Sequence, residues 1–135
     1  MNKLLALYDL AECDGITIDC VDLPCTESMS MELPDGSLHI GIDPMQLHTR
    51  AEEAVKLAHE LGHCRTGSFY NRYSGLDIRQ KHENRADRWA ICQLVPRKEL
   101  CRAMGLGNTE VWELAEYFNV TCLFMEKAMR YYRAV

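Results

Sequence analysis

The chain has 135 residues, of which 47% are apolar and 26% are charged, so its composition predicts one globular domain over residues 1–135 with a core of its own. No apolar run approaches the ~18 residues that a membrane-spanning helix requires, and this excludes a protein of that type. The net charge of -5 makes the chain a poor candidate for binding nucleic acid through phosphate contacts.

The first residues predict a short amphipathic helix rather than a leader. Residues 2–12 carry leucines on one helical side, Asp9 and Glu12 interrupt the apolar run, and no small-residue cleavage site follows. Seven cysteines without a Cys-x-x-Cys spacing then indicate reduced thiols in a cytoplasmic protein. Cys20 and Cys25 would supply only half of a structural metal site, since no second pair follows.

Three strands are predicted next. Residues 16–21 alternate and are rich in β-branched side chains. Residues 28–33 and 38–43 alternate on either side of the turn at residues 34–36, which indicates a hairpin. We expect one face of the hairpin to be apolar and to rest on helices. The residues of that face are Met29, Met31, Leu33, Leu38, Ile40 and Ile42.

The best-defined helix follows the hairpin. Thr49 begins a capping box in which its hydroxyl accepts a hydrogen bond from the backbone N–H of Glu52. Apolar residues then recur at helical spacing until residues 66 and 67, where Thr and Gly predict the end of the helix. The stretch His59-Glu60-Leu61-Gly62-His63 therefore lies in the last turns, with its register fixed by the buried stripe.

Four further helices are predicted after a loop over residues 66–79, which is either a lid or a plain connector. They span residues 81–94, residues 97–104, residues 111–118 with Thr109 as the cap, and a last segment capped by Thr121. The fold class is therefore α+β: a small antiparallel sheet of about three strands on a helical bundle, with the site at residues 59–63 between two helices. Residues 114–121 also resemble the turn of a DNA-binding helix-turn-helix, but the nearby glutamates would repel the phosphates of DNA.

Two histidines four residues apart lie on one helical face, so the imidazoles of His59 and His63 can reach one metal ion. Glu60 stands beside them, where a carboxylate can take a proton from a metal-bound water. The third ligand must come from another element: Glu83 is the leading candidate, and Asp87 is its competitor. If Glu83 is the ligand, Asp87 can instead accept the second ring N–H of a ligating histidine.

Simpler roles exist for the same side chains. His59 and His63 taken singly are typical of solvated helix positions. Glu60 is one turn from Lys56, and such an exposed pair would contribute only ~0.3 kcal/mol. Glu83 likewise lies one helical turn from Arg79 and could form the same kind of exposed ion pair. Only the four residues together favour a catalytic metal site.

The order of these motifs resembles the ImmA/IrrE family of metallo-endopeptidases. The resemblance rests on His59-Glu60-Leu61-Gly62-His63, on Glu83, Ala86, Trp89 and Ala90 leading to Leu94-Val95-Pro96, on the preceding strand-turn-strand, and on residues 114–121. It covers most of residues 28–130, and Trp89 stands where Phe is common.

The resemblance implies that His59, His63 and Glu83 bind Zn²⁺ and that Glu60 is the general base on the zinc-bound water. A second oxyanion donor is common in such sites, and Tyr70, Tyr73 and His82 are the candidates. The strand over residues 38–43 could receive an extended substrate as an added β-strand.

By the same resemblance, the substrate is a regulatory protein such as a phage or mobile-element repressor. The alternatives are a zinc-bound interaction module that cleaves poorly or not at all, and a toxin or stress-response protein on the same scaffold. The oligomeric state stays open.

Charge is unevenly spread along the chain. Residues 1–60 hold 3 Lys/Arg against 12 Asp/Glu, a balance of -9, whereas residues 61–135 hold 12 against 8, a balance of +4. Solvated faces are the usual explanation, and steering of a charged partner is the functional one.

Overall fold

The structure is a computed structural model that describes residues 2–71 and 73–134, so Arg72 of the predicted loop lies outside the described residues. Its elements are α1 (Lys3–Cys13), β1 (Thr17–Cys20), β2 (Ser28–Glu32), β3 (Leu38–Ile42), α2 (Arg50–Thr66), α3 (Leu76–Leu94), α4 (Arg97–Gly105), α5 (Val111–Phe118) and α6 (Cys122–Ala134). The predicted α+β class, a small sheet with helices, is confirmed. None of the described helices is both long and apolar enough to cross a bilayer.

The sheet is mixed, and the expectation of a purely antiparallel sheet is wrong. Its strand order is β1-β3-β2, with β2 antiparallel and β1 parallel to β3. Residues 21–27 carry the chain past the end of β3, where the Asp43 carboxylate accepts hydrogen bonds from the Leu23 backbone N–H (3.0 Å) and the Gln46 amide (2.8 Å). Since β3 is central, its backbone groups are paired on both sides, so residues 38–43 cannot receive an added strand as we expected.

The face of β2 that lies toward the helices is the opposite of the one predicted. The register pairs Ser28 with Ile42 and Ser30 with Ile40, so these two serines share the inward face with the buried isoleucines. Met29 and Met31 point outward and are 36% and 40% exposed. The loop between the strands sets this register, and alternation within one strand does not reveal it.

Helix α2 begins and ends as predicted. The Thr49 hydroxyl accepts from the Glu52 N–H at 3.1 Å, and Gly67 caps the helix in the left-handed conformation with φ 64°. Helix α3 begins at Leu76, earlier than the predicted residue 81. Leu76 in the first turn is 81% exposed, so this turn has no buried apolar stripe from which the sequence could predict it.

The α5 cap also differs from the prediction, whereas the α6 cap is confirmed. The Glu113 carboxylate, not the Thr109 side chain, accepts the backbone N–H groups at the start of α5, with Glu110 as the N-cap residue. At the start of α6, the Thr121 hydroxyl accepts from the Phe124 N–H at 3.2 Å.

The core lies where α2 and α3 pack together under the sheet and against the later helices. At their crossing, a Cβ added to Gly62 would lie 2.5 Å from the backbone oxygen of Ala86, so the two helix backbones are in close contact there. The largest fully buried core side chains are Ile40, Leu57, Leu61, Ile91, Leu94, Val95, Leu114 and Met125. This crossing places the end of α2 beside the middle of α3.

Candidate metal centre

Two histidines of α2 and one glutamate of α3 converge at this crossing. The Nε2 atoms of His59 and His63 are 3.2 Å apart. The Glu83 carboxylate spans them, with Oε2 at 2.8 Å from His59 Nε2 and Oε1 at 3.3 Å from His63 Nε2. His63 is only 5% exposed. The helix spacing predicted for the pair is therefore present, and the carboxylate that meets both rings is that of Glu83.

The other ring nitrogen of each histidine is anchored. His59 Nδ1 lies 2.8 Å from Asp87 Oδ1, and His63 Nδ1 lies 2.6 Å from the backbone oxygen of Ser68. A carboxylate and a carbonyl oxygen can only accept, so both Nδ1 atoms carry the proton. Both Nε2 atoms are therefore turned toward the shared centre, and this is the outer contact expected of metal-binding histidines. Asp87 occupies that outer role rather than a position at the centre.

Opposite charges hold the centre together in this form of the protein. Burial by itself lowers the pKa of His59, but its hydrogen bonds to Asp87 and Glu83 outweigh burial and raise that pKa to about 9. The pKa of Glu83 is lowered, chiefly by its hydrogen bonds to the two histidines. Burial opposes the shift in Asp87, whose pKa is nevertheless lowered by its bond to His59. A protonated His59 thus bridges the carboxylates of α3.

These residues fit a divalent metal ion by their donor set and spacing. Two imidazole nitrogens and one carboxylate oxygen lie within 4.8 Å of one another. Two nitrogens each ~2.1 Å from one ion at a tetrahedral angle would be about 3.4 Å apart, close to the separation of the two Nε2 atoms. Two histidines and a glutamate are also a known ligand set of catalytic zinc, which leaves one coordination position open.

Glu60 lies in the same cleft and is held by a residue that the sequence did not reveal. Its Oε2 accepts a hydrogen bond of 2.7 Å from the Ser28 hydroxyl at the start of β2. Glu60 and Ser28 are only 7% and 6% exposed. Lys56, the simpler partner considered for Glu60, instead pairs with Glu27 at 2.8 Å. Within the described part of the chain the other oxygen of Glu60 has no hydrogen-bond partner, so it is left for chemistry in the cleft.

The cleft has a volume of about 360 Å³ and is lined by both helices, β2 and the loop after α2. Tyr70 lies in its wall, and its hydroxyl donates to Glu83 Oε1 at 2.6 Å, which raises the pKa of Tyr70 to about 12. His82 stacks on the outer side of the Tyr70 ring, with centroids 6.2 Å apart. Tyr73 is 80% exposed. Neither His82 nor Tyr73 lines the cleft.

Three contributors to the site escaped the sequence analysis. Ser28 lies 32 positions before its partner, and Lys127 reaches Asp87 Oδ2 at 3.1 Å from 40 positions away. No local sequence pattern predicts contacts between residues so far apart in the chain. The role of Ser68 has a partial signal, because Gly67 reverses the chain and brings the next carbonyl back toward His63. Arg79, the simpler partner considered for Glu83, lies over the Tyr70 ring instead.

Comparison with known protein families matches residues 40–130 to the IrrE N-terminal-like domain, a peptidase family. The match covers more than half of the chain, from within β3 to within α6, and includes all three residues whose donor atoms converge. The chain belongs to this family, and at family level it is a metallopeptidase-type hydrolase that acts on protein. No curated protein sequence matches the chain.

Proposed function

We propose that this protein is a zinc-dependent endopeptidase of the cytoplasm. The observation that carries the proposal is that Glu60 lies beside the convergent donors of His59, His63 and Glu83 in one cleft. Zn²⁺ held by those three residues would supply a Lewis acid that lowers the pKa of water and polarises a carbonyl.

Proton transfer and the orientation of the reacting groups belong to residues of the chain itself. Glu60 takes the proton from the attacking water on its free carboxylate oxygen and passes it to the leaving amine. Ser28 keeps the other oxygen of Glu60 fixed, so the carboxylate is oriented before substrate binds. Asp87 and Ser68 hold the histidine rings so that both Nε2 atoms face the centre.

Tyr70 is the best placed of the three candidate oxyanion donors. Of the three, it is the one that lines the cleft, where its hydroxyl lies beside the convergent donors. In the absence of substrate this hydroxyl donates to Glu83, so we infer that it turns toward the substrate carbonyl during reaction.

The extended substrate pairs with β2 rather than with β3. In the described sheet β2 is an edge strand, and its residues Ser28, Met29 and Ser30 line the cleft next to Glu60. An added strand would gain backbone hydrogen bonds there whatever its side chains are. We propose a regulatory protein, such as a repressor of phage or mobile-element genes, as the substrate.

The change Glu60→Gln tests the reaction. The zinc-loaded wild type and this variant are each incubated with a peptide library derived from a bacterial proteome, and new termini are read by mass spectrometry. We expect new termini with the wild type and at least ~100-fold fewer with Glu60→Gln, because the amide cannot accept the proton.

Zinc content provides the control, since Glu60 is not among the three convergent donors. Both proteins should bind about one equivalent by atomic emission. Equal cleavage by wild type and variant would refute the role of Glu60. Zinc binding with no cleavage by either protein would favour the interaction module.

A further inference from the structure

A second and larger groove lies between α3 and α6, next to the metal centre. Its volume is about 870 Å³, and Ile91 and Tyr131 contribute apolar surface to it. Five cationic side chains line it: Lys81, Arg85, Arg88, Lys127 and Arg130. Among the described residues, Asp87 is the one carboxylate in the lining, and it also contacts His59 of the candidate metal centre.

The positive charge of this groove is largely uncompensated. Lys127 pairs with Asp87 at 3.1 Å. Among residues 2–71 and 73–134, no ion pair engages Lys81, Arg85, Arg88 or Arg130. These side chains are five of the 12 Lys and Arg residues in positions 61–135, although the whole chain is acidic. Such a concentration of one sign attracts anions.

Shared lining residues connect the groove to the proposed active-site cleft. Lys56 lines both the cleft and a depression of about 520 Å³ between α2 and α6, and Lys127 lines both that depression and the basic groove. Leu123 and Phe124 give the depression an apolar wall, and Leu123 is 77% exposed. One extended chain could therefore run from Glu60 across the depression into the groove.

Peptide fits this path better than nucleic acid does. The carboxylates of Glu27 and Glu52 balance the two lysines that line the depression, so it offers no net positive charge to the uniformly charged backbone of a nucleic acid. A peptide can change charge along its length, so it can place apolar residues against Leu123 and acidic residues against Arg85 and Arg88. The groove is also too large for a single small anion.

We propose that the α3–α6 groove binds a carboxylate-rich segment of the protein substrate and so selects which protein enters the cleft. This inference rests on the proposed peptidase function for its biological meaning, but binding at the groove is a separate property. Long-range attraction by the five cations would also speed the encounter with an acidic segment.

The test measures binding of fluorescein-labelled hexaglutamate by fluorescence anisotropy at about 50 mM salt. The zinc-loaded wild type should bind it, and Arg85→Glu/Arg88→Glu should weaken binding at least ~10-fold, because two attractive charges become repulsive. The matched control is Lys98→Glu/Arg102→Glu on α4, which changes the net charge by the same amount outside the groove. It should weaken binding less than ~2-fold.

Two further measurements keep the outcome unambiguous. Arg85→Gln/Arg88→Gln removes the charges without adding repulsion, and its circular dichroism and zinc content should match those of the wild type while its binding falls at least ~5-fold. Glu60→Gln should bind hexaglutamate as the wild type does, so a failed peptidase proposal leaves this result intact. Conversely, cleavage without hexaglutamate binding would refute the groove alone.

Three results would overturn the proposal. The first two are that the wild type does not bind hexaglutamate, or that the α4 control weakens its binding as much as Arg85→Glu/Arg88→Glu does. The third is that a labelled single-stranded DNA binds more tightly than hexaglutamate and that this binding is lost in Arg85→Glu/Arg88→Glu. The last result would make the groove a nucleic-acid site. Competition should also be graded by charge, with hexaglutamate displaced by an unlabelled acidic peptide and not by a lysine peptide of equal length.

Discussion

Glu60 is oriented by a hydroxyl group from a distant part of the chain. Ser28 starts an edge strand on the inward face of the sheet, where the isoleucines of β3 are buried. A serine at such a position would be costly without a partner, since a buried hydroxyl that makes no hydrogen bond costs ~1–3 kcal/mol. Its bond to the Glu60 carboxylate removes that cost and fixes the proposed base.

The change Ser28→Ala should therefore lower kcat about 10-fold and leave KM nearly unchanged, because the free carboxylate adopts unproductive rotamers. The measurement uses the peptide that the library experiment identifies as the best substrate. Ser28→Thr keeps a hydroxyl and should restore most of kcat. The control Ser30→Ala removes a hydroxyl from the same face of β2 and from the same cleft, and we expect it to change kcat less than ~2-fold. Equal losses in both alanine variants would contradict a specific role for Ser28.

The spacing between α2 and α3 depends on one glycine inside the metal-binding motif. Gly62 lies against Ala86, which stands between Glu83 and Asp87 on α3. Both carboxylates can reach the histidines only while the two backbones stay this close. In the interior of a helix, alanine is ordinarily ~1 kcal/mol more favourable than glycine. Close contact between the helices explains why glycine is tolerated here.

The change Gly62→Ala should consequently destabilise the protein by ~1–3 kcal/mol despite the better helix propensity of alanine. Its Cβ would meet the Ala86 oxygen at 2.5 Å and Cα at 2.9 Å, so α3 must move away. Zinc affinity, measured by competition with a chromophoric chelator, should fall at least ~10-fold as Glu83 is displaced. The control is Gly105→Ala at the end of α4, where no atom lies within 4 Å of an added Cβ. If Gly62→Ala were as harmless as that control, the helix spacing would not depend on Gly62.

The sequence predicted α2 and the convergence of its two histidines because the signals are local. The Thr49 cap, the apolar stripe and Gly67 define one helix, and helical geometry alone brings His59 and His63 together. The prediction of the inward face of β2 was wrong because no local signal sets that face. It depends on pairing with β3, which places Ser28 and Ser30 on the face of the buried isoleucines and leaves Met29 and Met31 exposed on the other face.

The contacts of Ser28 and Lys127 were equally out of reach of a sequence pattern. Each joins residues that only the tertiary fold brings together, and neither residue type indicates such a role by itself. The charge imbalance between the two halves of the chain was compatible with solvated faces as well as with a charged partner. Only the packing of α3 against α6 gathers five of those cations into one groove.

Across the whole molecule, the candidate metal centre lies between the two helices that form the middle of the fold. Without metal, the raised pKa of His59 keeps its ring protonated at neutral pH, and this cation bridges Glu83 and Asp87 of α3. The apolar contacts of Leu61 and Ile91 do not depend on the ion. The protein should therefore stay folded when zinc is removed, unlike small zinc domains that unfold without metal.

Removal of zinc with a chelator should lower the melting temperature without abolishing cooperative unfolding. At free zinc about 1,000-fold above Kd, binding to the folded state contributes about 4 kcal/mol, or roughly 10–20 °C for a chain of this size. Differential scanning calorimetry of the loaded and chelated protein measures the change. The control His59→Gln lacks one of the three donors, so its melting temperature should respond to the chelator by less than about 3 °C. Loss of the cooperative transition on chelation would contradict the view that the core holds α2 and α3 together, and an unchanged melting temperature in the wild type would contradict zinc binding at this crossing.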